Sequence, residues 1–120
     1  MKRATKVHVG QIIEFPHHCF DERRSGWNGW IFRAGIIQDF GTSKKTGKRL
    51  AKVLYCERPA GRHELLPNVE NTRWVPLERL FQYNIEFKAN MVKEFLEAEA
   101  QGEVVCWDED AALLVNHGLI

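Results

Sequence analysis

Four cations fall within six positions of this chain, Lys44, Lys45, Lys48 and Arg49, in the run G-T-S-K-K-T-G-K-R that begins at Gly41. Ammonium and guanidinium groups this close neutralise neighbouring phosphates and release their counterions. The chemistry on offer is electrostatic attachment to a polyanion. Arg23, Arg24 and Arg33 lie upstream and could extend the basic surface. Trp27, in the context S-G-W-N-G, adds a ring that could stack on a base or anchor a partner. Stacking of this kind needs no base sequence and suits single strands. Trp30 could stack too, but Trp30 and Trp74 sit in β-patterned runs and read as core, which leaves Trp27 as the exposed ring. Lysines on a turn also serve solubility alone, so the basic run by itself does not separate a binding surface from a solvated one.

Other chemistries fit the residues less well. His17, His18 and Cys19 are adjacent, and Cys56 and His63 could approach them. Zinc sites use C-x₂₋₄-C or H-x₃₋₅-H spacing, which these residues lack, and adjacent side chains diverge in an extended segment. No metal and no cofactor is expected. A Cys19–His63 pair or an arginine site at Arg23 or Arg24 could support catalysis. The chain carries no nucleophile elbow, P-loop, dinucleotide fingerprint or H-E-x-x-H, and no catalytic residue is assigned. Phe20, Trp27 and Trp74 could instead line a peptide groove.

The elements that must position these residues are mainly β. Val7, Val9, Ile13 and Phe15 share one face of an alternating run, which predicts a first strand ended by Pro16. Pro16 to Asn28 reads as a long connection. Trp30 to Phe40 predicts a second strand, with Gly35 as its bulge or bend. Gly41 to Lys48 is a turn, and Leu50 to Cys56 a third strand. A second long connection follows, from Glu57 to Thr72. Arg73 to Val75 is short and β-prone, and P-L-E-R-L from Pro76 predicts a helical or 3₁₀ turn. Phe81, Tyr83, Ile85 and Phe87 alternate with polar residues, which predicts a last strand. The period then changes. Met91, Val92, Phe95, Leu96 and Ala98 have helical spacing, ending near Gln101 with Gly102 behind it. Val104 to Trp107 could add a strand. Asp108 is placed to cap a last helix, with Glu109 and Asp110 in its first turn and His117 near its end.

Five short strands, a long first loop, a central hairpin and a helical turn before the last strand resemble an SH3-like barrel. The residues that carry the likeness are V-G-Q-I-I-E-F from Val9, A-G-I-I-Q-D-F from Ala34 and W-V-P-L-E-R-L from Trp74. It covers about residues 7 to 87. Tudor-like and KOW-like modules share this plan. So do the MazF-type ribonuclease toxins, although their proline-preceded, valine-rich third strand is not found here. The resemblance implies a mainly β fold, a small five-stranded SH3-like barrel with a C-terminal helical extension, α+β overall.

At 120 residues the chain can bury a core without disulfides, and its 44% apolar share argues against intrinsic disorder. Three widely spaced cysteines imply no disulfide framework. No secretory signal or membrane span is read, so a cytoplasmic protein without a membrane partner is expected. The net charge of +1 conceals a division. Residues 1–87 carry 15 Lys and Arg against 9 Asp and Glu, and residues 88–120 carry 2 against 7. The expected organisation is a barrel over residues 1–87 with an acidic helical extension, residues 88–120, packed on it. The expected function is non-enzymatic binding. Arg23, Arg24, Trp27, Arg33, Lys44, Lys45, Lys48 and Arg49 would contact single-stranded nucleic acid or an acidic protein surface. The alternatives are an adaptor or inhibitor that uses the acidic tail and a MazF-like ribonuclease.

Overall fold

The computed structural model describes residues 2–21, 27–57 and 69–120. Its core element is a five-stranded antiparallel sheet: β1 (Ile12–Asp21), β2 (Trp27–Thr42), β3 (Arg49–Glu57), β4 (Val69–Pro76) and β5 (Phe81–Gln82), in the order β4-β3-β2-β1-β5. A 3₁₀ turn at Leu77–Arg79 follows β4, and two helices, α1 (Ile85–Ala100) and α2 (Glu109–Asn116), complete the chain. The architecture is mixed α+β with a β-rich sheet. Contacts divide it into two compact units, Met1–Tyr55 with Asn71–Tyr83 and Cys56–Glu70 with Asn84–Ile120. None of the helices among the described residues is long and apolar enough to cross a membrane.

In the first unit the side-chain alternation of a pleated strand sets one face as core. Ile13 and Phe15 of β1, Ile37 of β2, Ala51, Val53 and Tyr55 of β3, Val75 and Leu80 form one buried cluster. Each large apolar side chain so buried contributes about 1.5–3 kcal/mol. Phe15 and Tyr55 meet edge to face at 5.5 Å, a favoured aromatic arrangement. Gly35 belongs to this face. It is not the bulge. The register shift lies between Ile37 and Asp39. A Cβ on Gly35 would stand 2.2 Å from Val53 Cγ1 and 3.1 Å from Phe15 Cε1, so the glycine makes room for two core side chains.

The predicted first loop is shorter than its composition suggests. β1 continues through Pro16 to Asp21, and Pro16 pairs with Phe32. β5 pairs with β1 only at Ile13 and Glu14, so an imide nitrogen at position 16 can face an edge that no described strand occupies. The His18 and Trp30 rings, 5.3 Å apart, close the same ladder further on. The N-terminal residues are also held. Ala4 N donates to Leu80 O at 2.8 Å and Gln82 N to Lys2 O at 2.9 Å, which docks residues 2–4 against β5.

The last strand is a correction. β5 stops at Gln82, and Ile85 and Phe87 are helical. Asn84 caps α1, accepting a hydrogen bond from Phe87 N, and Glu86 adds a favourable charge to the first turn. A strand would have buried Phe87 with Phe81; on the helix it is 69% exposed. In the second unit Val92, Trp107 and Ala111 form a buried cluster, with the Phe95 ring 5.2 Å from Trp107. Val104–Trp107, read as a possible strand, has no regular structure, and the Trp107 indole N–H donates to Glu99 Oε1. Asp108 caps α2 as expected, accepting from Ala111 N at 3.0 Å, and its carboxylate also meets Lys88 Nζ at 3.2 Å.

Candidate nucleic-acid interface

The basic run forms the turn between β2 and β3. Ser43 N donates to Lys48 O at 2.8 Å and Gly47 N to Ser43 O at 2.9 Å. Thr46 N donates to Ser43 Oγ at 3.2 Å. Gly47 adopts φ +70°, a conformation that costs other residues energy, which explains the glycine before Lys48. The turn's backbone polar groups therefore satisfy one another, and Lys44, Lys45, Lys48 and Arg49 are left exposed.

Lys48 is engaged. Its Nζ lies 2.8 Å from Glu78 Oε1, in the 3₁₀ turn after β4. That hydrogen bond and the charge of Lys48 hold the Glu78 carboxyl below its ordinary pKa, and Arg3 and Arg79 act in the same direction. The cations around Glu78 thus come from three segments: the hairpin turn, the N-terminal residues docked on β5, and the 3₁₀ turn. Arg79 adjoins Glu78 in sequence, whereas Arg3 acts on it only because the fold docks residues 2–4 on Leu80–Gln82.

Of the other predicted residues, the backbone of Trp27 and the side chain of Arg33 can be placed. Trp27 opens β2 and the basic turn follows its other end at Thr42. A strand of 16 residues separates them by about 50 Å of contour at ~3.3 Å per residue. The Trp27 side chain, Arg23 and Arg24 lie outside the described residues. Arg33 sits opposite Phe15 in the ladder and is 8% exposed, so it is no surface cation. Its position on β2 shares the face of Gly35 and Ile37, which explains its burial.

The ring near the cations is Trp74. Its β-patterned surroundings predict a core residue, but it is 47% exposed. Val75 is the residue of that pair that enters the core, so Trp74 must face the other side of β4. There its indole sits against Gly41, whose hypothetical Cβ would lie 3.1 Å from Trp74 Cζ3 and 3.2 Å from Cη2. Gly41 is three residues before Lys44 and pairs with Leu50. The alternation of Trp74 with Val75, and a glycine at the hairpin's base, were the signals available in the sequence. Trp30 is likewise exposed, at 61%, and its neighbour is His18.

No family model, curated protein or solved structure matches this chain. The functional reading therefore rests on the site itself. Among the described residues no group of three or more His, Cys, Asp or Glu could hold a metal ion. Cys56 is buried, His17 packs against Tyr55 at 5.1 Å between ring centres, and His63 and the Cys19 side chain lie outside the described residues. What the exposed arrangement offers chemically is the positive charge of the turn with a half-exposed indole seated at its base.

Proposed function

We propose that this chain is a non-enzymatic binding module of SH3-like plan that engages nucleic acid through the hairpin end of its sheet. The observation that carries the reading is the exposed basic turn of Lys44, Lys45, Lys48 and Arg49, tied at Lys48 to Glu78 2.8 Å away. The four exposed cations of this turn would neutralise phosphates and make attachment strongly salt-dependent.

The barrel plan has its own support. β4 and β5 are at opposite edges of the sheet, yet only the segment Leu77–Leu80 joins them. Four strand spacings of about 4.8 Å would put those edges ~19 Å apart if the sheet were flat. A 3₁₀ turn rises about 2 Å per residue. A sheet curled to bring its edges together reconciles the two.

The test is binding of single-stranded DNA and RNA to the full chain at two salt concentrations. The reading expects binding that weakens steeply with salt and is lost in Lys44→Glu/Lys45→Glu. Capture of an acidic protein with no affinity for either nucleic acid at low salt would transfer the hairpin to a protein partner. Capture that fails only when residues 88–120 are deleted would favour an adaptor led by the acidic tail.

A further inference from the structure

We propose that the ligand is taken single-stranded, with one base stacked on the exposed indole of Trp74; this rests on the nucleic-acid reading above. Gly41 is the first ground for it. Its φ is not among the positive values that require glycine, so its backbone does not call for one. What favours it is room: a Cβ here would stand 3.1 and 3.2 Å from two atoms of the six-membered ring of Trp74, closer than side chains ordinarily pack. The indole is seated on bare backbone at the base of the basic turn and remains 47% exposed.

Position is the second ground. Gly41 and Leu50 pair across the hairpin, and Lys44, Lys45, Lys48 and Arg49 occupy the turn they enclose or border. A base on Trp74 therefore has cations within a few residues, where the adjoining backbone phosphates would run. Charge chooses the polyanion, and the ring chooses among polyanions. A duplex keeps its base faces stacked internally and cannot offer one to a ring on a protein surface. A single strand can, because every base has a π-face. An acidic peptide would use the lysines and leave the indole idle.

The experiment measures binding of the full chain to a labelled oligothymidylate, an abasic strand of equal length and charge, and a duplex, all at one low salt concentration. The expected result is thymidylate binding about tenfold or more tighter than abasic binding, with tryptophan fluorescence quenched. Trp74→Ala should erase the difference between the two strands, and Trp74→Phe should keep part of it. Gly41→Val, which displaces the ring, should act like Trp74→Ala. Equal affinity for thymidylate and abasic strands overturns the proposal, and that comparison on the unaltered chain stands even if a variant fails to fold. Should both strands bind equally and both be lost in Lys44→Glu/Lys45→Glu, stacking fails while phosphate attachment stands. Should neither bind at low salt, both readings fail.

Discussion

Lys48 Nζ and Glu78 Oε1 lie 2.8 Å apart across 30 residues of sequence, tying the basic hairpin turn to the 3₁₀ turn that follows β4. Both side chains are about half exposed, so the pair adds little stability. Its importance is positional, because it places a carboxylate among the cations proposed to receive phosphates. A ligand phosphate and Glu78 would compete for the same ammonium.

That competition predicts the effect of Glu78→Gln. Removing the charge frees Lys48, so affinity for nucleic acid should rise several-fold, and the salt dependence should steepen by about one phosphate contact. Unchanged affinity and slope would mean that Lys48 does not meet the ligand.

The same pair predicts a titration. Glu78 has a lowered pKa in the folded chain, with the Lys48 hydrogen bond as its largest cause. A carboxylate with a lowered folded pKa contributes stability above its unfolded value, about 4.3, and loses it as pH falls through the lower folded value. Lys48→Met should therefore move the Glu78 carboxyl back toward its ordinary pKa, as followed by NMR. A titration unaffected by the substitution would show that the pair does not persist in solution.

Gly35→Ala tests the packing of the first unit. The added methyl would stand 2.2 Å from Val53 Cγ1, and Gly35 is closed in by Phe15 as well. Overpacking of this kind costs about 1–3 kcal/mol. Urea unfolding should show that loss, and the double variant Gly35→Ala/Val53→Ala should recover part of it. A neutral Gly35→Ala would contradict the close approach.

Asp108→Ala tests the second unit. The substitution removes the cap on Ala111 N and the contact to Lys88. A lost N-cap costs about 1 kcal/mol. Asp108→Asn or Asp108→Ser should retain most of the stability, since either can cap. If both destabilised as much as alanine, the ion pair rather than the cap would be the source.

Much of this was legible in the sequence, for identifiable reasons. The hairpin, β3, the 3₁₀ turn and the Asp108 cap were, because glycine, proline and capping residues act locally. The end of β5 was not. Phe81, Tyr83, Ile85 and Phe87 keep strand spacing by coincidence, and the Asn84 cap decides for a helix. Pro16 misled because a proline ends a strand only where its missing N–H is needed by a neighbour. The basic turn was found from spacing alone. Its ring was missed because both faces of β2 and β4 carry large apolar residues, and composition does not say which face the core takes. Val75 settles that for Trp74, and Arg33 is buried by the same alternation that exposes Trp30. Arg3 comes to influence Glu78 through the docking of residues 2–4 on Leu80–Gln82, which no local pattern announces.

The central claim is that the hairpin end of the sheet attaches to nucleic acid phosphates. Its most direct test is the salt dependence of single-stranded nucleic acid binding for the unaltered chain and for Lys44→Glu/Lys45→Glu. Log affinity should fall linearly with log salt concentration, and the double substitution should abolish binding or remove about two contacts from the slope. No binding at low salt, or the same affinity and slope in both proteins, would contradict it.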